Sequence, residues 1–133
     1  MKQILFLITL SFIIISCSSN NTSDKIFEGD FSGTFYRVSD NSRFATAEVS
    51  LTFNNATFEG VSNINDYPAI CNGTFEVDDD QITFTNGCAF TADFDWTYIL
   101  DGSFDYQVIN DEIRMNREYS ASTSDTYILI KEN

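Results

Sequence analysis

Two cysteines, Cys71 and Cys88, stand at the ends of a stretch in which polar and apolar residues alternate, CNGTFEVDDDQITFTNGC. If the chain folds back at Asp79–Asp80, the two arms become antiparallel strands with apolar side chains on one face. The facing pairs are then Val77 with Ile82, Phe75 with Phe84, Gly73 with Asn86 and Cys71 with Cys88. With a two-residue turn the cysteines occupy a non-hydrogen-bonded pair, where strands approach most closely and a disulfide can form. The stretch therefore predicts a β-hairpin closed by a Cys71–Cys88 disulfide.

Metal binding and thiol redox exchange are the other chemistries open to this cysteine pair. The chain has three cysteines and no histidine, and two cysteines without histidine make a poor zinc set. A redox pair is expected at Cys-x-x-Cys spacing, which Cys71 and Cys88 do not have. A structural disulfide in an oxidising compartment is favoured over both alternatives.

Carboxylates are the remaining candidates for chemistry. Asp93 and Asp95 lie two residues apart on a predicted strand, and paired carboxylates on one face can act as acid and base. Glu76 and Asp78–Asp80 offer oxygen ligands for calcium, but the EF-hand spacing is absent and Asp is favoured in any turn. A serine nucleophile would have no histidine to activate it, and no Gly-x-Ser-x-Gly occurs. We therefore predict no catalytic residue, no metal site and no cofactor.

The N-terminus has the organisation of an export signal. Lys2 provides a positive start, and an almost unbroken apolar run over residues 4–15 is too short for a comfortable membrane span. The segment Ser16–Cys17 that follows resembles the lipobox of bacterial lipoproteins, in which the cysteine becomes the acylated N-terminus. This resemblance implies a signal peptide over residues 1–16 and lipidation of Cys17. An ordinary signal peptide or a short anchor with a chance cysteine is the alternative.

Ser18 directly after the cysteine resembles the sorting pattern of outer-membrane lipoproteins. The predicted location is thus the outer membrane, on its periplasmic or surface-exposed side, with the membrane contacted through the lipid anchor. A polar segment over residues 17–29 then forms a flexible tether. With Cys17 modified, Cys71 and Cys88 remain as an even pair for the disulfide.

The charge balance excludes one large class of partner. The chain carries twenty Asp and Glu against seven Lys and Arg, a net charge of −13. Loss of Lys2 with the signal peptide leaves six basic residues and all the acidic ones, a formal charge of −14. Such a surface repels phosphate backbones, so we expect no nucleic-acid binding. Thirteen Phe, six Tyr and one Trp supply enough aromatic surface for a folded core in one domain over residues 30–133.

Short segments of alternating polarity, separated by turn residues, follow the tether. Asn54–Asn55 is predicted to turn a hairpin that pairs Leu51 with Phe58 and Val49 with Gly60. Similar patterns predict eight or nine short strands, the last over residues 127–131 after a polar loop over residues 120–124.

The number of strands and their short connections indicate how the sheet is arranged. A meander of this kind usually closes into a barrel, because closure removes its edges. A two-sheet sandwich is the alternative, but its long Greek-key crossings fit the short connections less well. The predicted fold class is all-β, an eight- to nine-stranded antiparallel meander that closes into a barrel.

An aromatic series marks a candidate binding region inside this barrel. Phe94, Trp96, Tyr98 and Leu100 alternate with Asp93, Asp95 and Thr97, which predicts a strand with its aromatic face inward. Trp96, Tyr98 and Tyr106 then offer apolar faces with polar atoms to a ligand. Arg117 shares the face of Ile113 and Met115, so it is a candidate inward cation. The alternative is plain packing, because side chains can fill an eight-stranded barrel.

The chain resembles two known families. Gly33-Thr34-Phe35 is similar to the Gly-x-Trp of the first strand in the lipocalin and fatty-acid-binding superfamily, with Phe35 in the Trp position. Phe104-Asp105-Tyr106 is similar to the second lipocalin motif, Thr-Asp-Tyr, without its Thr. Over Phe31 to Lys131 the chain looks most like small lipocalin-like lipoproteins of bacteria. Cys71-Asn72-Gly73-Thr74-Phe75 resembles the Cys-Asn followed by Gly-x-aromatic of META-domain lipoproteins.

The resemblances imply a non-enzymatic, lipid-anchored, lipocalin-like barrel of the outer membrane. The function expected first is binding of a small apolar ligand, neutral or cationic because of the chain's charge. The alternative is a solid-core barrel that acts as a structural or accessory protein-interaction module of the cell envelope.

Overall fold

Eight antiparallel strands follow one another around a closed barrel in the computed structural model, which describes residues 25–133. The strands are β1 (Gly29–Ser39), β2 (Ser42–Asn54), β3 (Thr57–Ser62), β4 (Asn72–Asp78), β5 (Gln81–Asn86), β6 (Gly102–Ile109), β7 (Glu112–Ser120) and β8 (Thr123–Lys131). Each strand pairs with the next, and β8 returns to β1. The predicted all-β meander that closes into a barrel is confirmed, and this arrangement is consistent with a lipocalin-like fold. The predicted signal peptide and Cys17 lie outside the described residues.

The barrel has two unlike ends. At the N-terminal end lie the short turns that follow β2, β4 and β6, and Glu28 contacts the first of them. At the loop end lie the turns after β1 and β7, together with the two long connections, residues 63–71 and residues 87–101. No helix within residues 25–133 has the length and apolar character needed to cross a membrane.

The hairpin of β4 and β5 has the predicted register. Val77 pairs with Ile82 and Phe75 with Phe84, on either side of a turn at Asp79–Asp80. The Cys71–Cys88 disulfide just beyond this ladder is also confirmed, with the two Cα atoms 6.3 Å apart. It ties the beginning of the 87–101 connection to the residue that precedes β4.

The register predicted for β2 and β3 is wrong by one residue at the turn. Leu51 pairs with Gly60 and Phe53 with Phe58, so the turn is Asn55–Ala56. Asn55 has a φ of 54°, a left-handed conformation that asparagine tolerates. Its backbone N–H donates to the Glu28 carboxylate at 3.1 Å, which holds the turn against the N-terminal segment. Because the shift preserves parity, the apolar face still points inward.

The strand predicted over Phe94 to Leu100 is also wrong. A 3-10 helix, Trp96–Tyr98, occupies this segment, and Asp95 caps it. The Asp95 carboxylate accepts from the Thr97 backbone N–H at 3.0 Å and from the Thr97 hydroxyl at 2.7 Å. These local hydrogen bonds compete with strand pairing, and polarity alternation alone does not reveal them. Asp93 and Asp95 therefore lie on a connection and not on a strand.

Side chains from all eight strands fill the interior of the barrel. The buried cluster comprises Phe27, Phe31, Phe35, Val49, Leu51, Phe53, Phe58, Phe75, Ile82, Phe84, Leu100, Phe104, Tyr106, Ile113, Met115, Tyr127 and Leu129. Phe27 is fully buried at the N-terminal end, where its ring lies 5.4 Å from Phe53 and 5.1 Å from Tyr106. Phe27 and Gly29, placed in the predicted tether, thus belong to the folded barrel.

Candidate functional site

The loop end contains a buried ion pair between the first and last strands. Arg37 of β1 and Asp125 of β8 both point into the barrel and are almost fully buried. Arg37 Nε donates to Asp125 Oδ1 at 2.7 Å, and Arg37 Nη2 donates to Asp125 Oδ2 at 2.9 Å. This two-point geometry is the strongest that an arginine and a carboxylate form. Both oxygens of Asp125 are therefore engaged.

A second cation approaches the same carboxylate. Arg117 of β7 points inward and places Nη2 3.4 Å from Asp125 Oδ2. Its guanidinium carbon lies 4.2 Å from the centre of the Phe104 ring, within cation–π range. We call Arg37, Arg117 and Asp125 the charged cluster.

Aromatic rings enclose the charged cluster and influence its protonation. The Arg37 guanidinium carbon lies 4.0 Å from the ring centre of Tyr98 and 5.0 Å from that of Tyr119. Burial lowers the pKa of Arg37, but the hydrogen bond and the charge of Asp125 outweigh burial, and the pKa is raised. Burial raises the pKa of Tyr119 to about 12. Both groups keep one protonation state at neutral pH, which suits a structural role better than acid–base catalysis.

The charged cluster holds the connection over residues 87–101 against the barrel. Arg37 donates through Nη1 to the Thr97 hydroxyl and through Nη2 to the Thr97 carbonyl, both at 2.9 Å. Arg117 donates to the carbonyls of Thr97 at 3.2 Å and Ile99 at 3.4 Å, and it also contacts the Asp101 carbonyl. These bonds satisfy backbone acceptors that the 3-10 helix and its flanks leave open.

Two further restraints act on the connection over residues 87–101, which we call the aromatic loop. The disulfide fixes Cys88 near its beginning. Nearer its end, Ala69 donates to the Tyr98 carbonyl at 2.9 Å and Leu100 donates to the Ala69 carbonyl at 3.0 Å, forming a short parallel bridge. A loop restrained at several points loses little conformational freedom when a partner binds.

The aromatic loop carries a cluster of three rings, of which Trp96 is exposed and Phe90 and Phe94 are half-buried. Phe90 lies 4.9 Å from Phe94 and 6.4 Å from Trp96, measured between ring centres. Trp96 is 56% exposed, and its indole N–H donates to the Thr91 carbonyl at 3.2 Å. The prediction that Trp96 points into the barrel is therefore wrong, because the segment is a surface loop and not a strand. We call Phe90, Phe94 and Trp96 the aromatic face.

Carboxylates and a small groove border the aromatic face. A hydrogen bond from Thr91 lowers the pKa of Asp93, and one from Thr97 lowers the pKa of Asp95. The groove has a volume of about 180 Å³ and is lined by Val61, Ser62, Ile64, Asn65, Asp66, Pro68, Ala69, Ile70 and Phe90. The surface beside the disulfide is thus apolar at its centre and negative at its margin.

The predicted ligand-binding residues do not form one site. Arg117 and Tyr98 meet at the charged cluster, where Tyr98 covers Arg37. Tyr106 is buried at the opposite end, and its hydroxyl donates to the Asp79 carbonyl at 2.9 Å. Trp96 lies on the outer surface. As for the calcium alternative, no group of three potential metal ligands is found within residues 25–133.

Asp125 and Tyr119 were missed at the sequence level, although parity contains a signal for Asp125. Asp125 shares the face of Tyr127 and Leu129, but the last strand was predicted to begin only at Tyr127. A strand that begins at Thr123 places Asp125 opposite Arg37 on β1. No sequence signal identifies Thr97 as the acceptor, because that contact depends on how the aromatic loop folds back.

The fold and the site define a closed eight-stranded antiparallel barrel with a filled interior and a restrained aromatic loop at one end. None of three comparisons, with models of protein families, with curated proteins and with solved structures, finds a match for the chain.

Proposed function

We propose that this chain is a lipocalin-like barrel, anchored to the outer membrane through lipid on Cys17, that acts as a non-enzymatic protein-interaction module. The observation that supports a module over a ligand carrier is the filled interior. In an eight-stranded barrel the interior holds either side chains or one small ligand. Here most inward residues of the described strands are aromatic or aliphatic and contact one another, and the inward charged residues Arg37, Arg117 and Asp125 pair with each other at the loop end.

Ring contacts run through the barrel from one end to the other. Each contact lies within the 4.5–7 Å range of favourable aromatic pairs. The centroid distances are 5.4 Å for Phe27–Phe53, 6.3 Å for Phe53–Phe84, 5.8 Å for Phe84–Phe104, 5.6 Å for Phe104–Tyr127, 4.7 Å for Phe35–Tyr127 and 5.1 Å for Phe35–Tyr67. A ligand along this path would have to displace several of these rings.

The ligand-carrier hypothesis has a weaker basis in the structure. An open cavity of about 780 Å³ at the N-terminal end is lined by Lys25, Glu28, Asn55, Ala56, Phe75, Glu76 and Val77. Phe27 covers the interior beside it. An apolar guest would remain at this polar margin or would expel Phe27, which is itself an apolar plug.

The position of the two ends supports a module. The described residues begin at the N-terminal end of the barrel, a short distance in sequence after Cys17. An anchor at Cys17 would hold that end near the membrane and direct the aromatic loop away from it. The acidic charge of the chain agrees with this orientation, because it opposes contact with an anionic membrane surface. The META resemblance concerns residues 71–75 alone and stays a prediction.

Two measurements test the proposal. Replacement C17A is expected to release the protein from the membrane fraction, and a mature, membrane-bound mutant would refute the anchor. A panel of fatty acids, sterols and apolar dyes is expected to leave the melting temperature unchanged, whereas a ligand that bound the native state would raise it by mass action. Such a rise would favour the carrier over the module.

A third measurement tests the interaction itself. A photoreactive amino acid at Ala92, exposed on the aromatic loop, is expected to cross-link a discrete protein in the producing cells. The same amino acid at Gln107, exposed on the outer face of β6 and opposite Arg114, serves as the matched position away from the groove. Equal labelling from both positions, or none from either, would contradict an interaction at the loop end.

A further inference from the structure

We infer that the aromatic face, Phe90, Phe94 and Trp96, together with Asp93, is a docking surface for a basic segment of a partner protein. This inference rests on the proposed function and names the chemistry of the partner. An apolar patch bordered by polar residues marks an interaction site, because a partner that covers it removes apolar area from water. Here Trp96 is exposed, and the half-buried rings of Phe90 and Phe94 extend the patch. The cluster is not needed for the core, since all three rings lie outside the buried set.

The presentation of Trp96 is fixed before any partner arrives. Its indole N–H is satisfied within the loop by the Thr91 carbonyl. Phe90 supports the ring from one side at 6.4 Å, and more than half of the residue is exposed. A partner would therefore contact the face of the Trp96 ring, since the indole N–H already has an acceptor. Tryptophan gives the strongest cation–π interaction with a lysine or arginine among the aromatic residues.

Charge selects the kind of partner. Residues 87–101 contain Asp93, Asp95 and Asp101 and no Lys or Arg. Asp66 lines the same groove as Phe90. Asp93 and Asp95 have lowered pKa values, so both carboxylates remain charged well below neutral pH. A basic segment would find cation–π contacts and carboxylates within one surface.

A second copy of this chain fits the surface less well. Two such faces would bring the same carboxylates together between chains that each carry −13. Like charges placed opposite one another at an interface disfavour that pairing. The complementary occupant is a Lys- or Arg-bearing segment with apolar side chains for the groove at Val61 and Ile70.

The test uses the full chain and a short synthetic peptide in which arginine alternates with leucine. A second peptide has glutamate in place of arginine. Trp96 is the only tryptophan, so its emission reports binding at this surface directly. We expect the basic peptide to shift the emission of Trp96 and the acidic peptide to leave it unchanged.

Calorimetry on matched variants separates the site from general attraction. W96A is expected to weaken the basic peptide roughly tenfold, while F44A, which removes another exposed ring, leaves binding unchanged. D93N is expected to weaken it roughly two- to fivefold at low salt, and D111N, at the other end of the barrel, less than that.

Equal binding by W96A and F44A would overturn the inference, because attraction would then be spread over the whole acidic surface. Binding of the acidic peptide, or of a neutral oligosaccharide in place of the basic peptide, would also overturn it. The proposed function would survive these results if Ala92 still cross-linked a discrete protein. Loss of that cross-link together with ligand-induced stabilisation would refute the proposed function itself.

Discussion

Removing the charge of Asp125 should destabilise the barrel more than any change to a surface ion pair. In D125N the side chain keeps its size, but Arg37 and Arg117 lose their only carboxylate partner in the charged cluster of the described chain. Asp125 is 1% exposed, so water cannot replace the lost charge. The amide nitrogen would moreover be placed against donors of Arg37.

The expected magnitude follows from the geometry. Asp125 accepts two short charge-assisted hydrogen bonds from Arg37, at 2.7 and 2.9 Å, and a longer one from Arg117. Hydrogen bonds to charged groups contribute about 1.5–3 kcal/mol each. Breaking a buried pair by removing one partner costs about 3–5 kcal/mol. We therefore expect D125N to lower the free energy of unfolding by about 3–5 kcal/mol, a fall in melting temperature of roughly 10–20 °C for a domain of this size.

Urea denaturation followed by circular dichroism measures the change, and the chain contains a matched control. Glu112 and Arg114 form an ion pair at 2.8 Å on the outer surface, where both side chains are partly exposed. E112Q makes the same chemical change as a D-to-N replacement and should cost less than about 1 kcal/mol. Costs for D125N and E112Q within about 0.5 kcal/mol of each other would refute the reasoning.

A double replacement distinguishes the free energy lost with the ion pair from the cost of leaving one buried charge without a partner. R37M combined with D125L removes both charges and should cost less than the sum of the two single replacements. The aromatic loop should also loosen in D125N, because Arg37 holds Thr97. Faster hydrogen exchange at the backbone of residues 97–101, with unchanged exchange in the ladder of β4 and β5, is the expected pattern.

Three further predictions concern other parts of the barrel. Reduction of the Cys71–Cys88 disulfide should lower the free energy of unfolding by about 3 kcal/mol, measured in urea with and without reductant; an unchanged midpoint would contradict it. F27A should cost about 3–5 kcal/mol in thermal unfolding, whereas F44A, at an exposed ring, should cost almost nothing; equal costs would show that Phe27 is no plug. Because burial raises the pKa of Tyr119 to about 12, its proton is retained in the folded state and lost from the unfolded state above about pH 10. Stability should therefore fall between about pH 10 and 12, with part of the tyrosine absorbance change delayed until unfolding, and Y119F should show a smaller fall.

Strand pairing with tight turns was predictable because the information is local. Asp79–Asp80 turns its hairpin as predicted, with Val77 opposite Ile82 and Phe75 opposite Phe84. Alternating apolar residues on both arms fix which face points inward, and parity leaves few choices of register. At Asn54–Asn55 the parity was equally clear, but two adjacent asparagines offered no basis for choosing the turn position.

The aromatic loop was not predictable, since three of its determinants are absent from a polarity pattern. Asp95 caps the 3-10 helix, and the Thr97 carbonyl accepts a hydrogen bond from Arg37 on a distant strand. The parallel bridge between Ala69 and Ile99 connects two irregular segments. Alternating aromatics and acids in this segment reflect an exposed face with charged neighbours, not the two sides of a strand. The strand predicted for this segment places Trp96 inside the barrel, whereas the residue is exposed on the outer surface.

Gly33 and Phe35 show why the Gly-x-aromatic resemblance has a physical basis here. A Cβ on Gly33 would collide with the Ile128 carbonyl oxygen, so glycine permits the close approach of β8 that closes the barrel. Phe35, two residues after Gly33 on β1, contacts Tyr127 of β8 with 4.7 Å between the ring centres. The Phe35 ring also contacts Tyr67 of the 63–71 connection, at 5.1 Å between ring centres.

The presence of the charged cluster is best explained by its role in positioning the aromatic loop. Buried ion pairs are weak stabilisers, and well-packed apolar residues of similar volume often serve stability as well or better. Arg37 and Arg117, however, also donate to carbonyls of the aromatic loop, which apolar side chains cannot do. Their retention inside an otherwise apolar barrel is accounted for if the position of Thr97, and with it the outward placement of Trp96, matters more than stability. The buried charged cluster then fixes the position of the aromatic face, the surface that we propose for a partner.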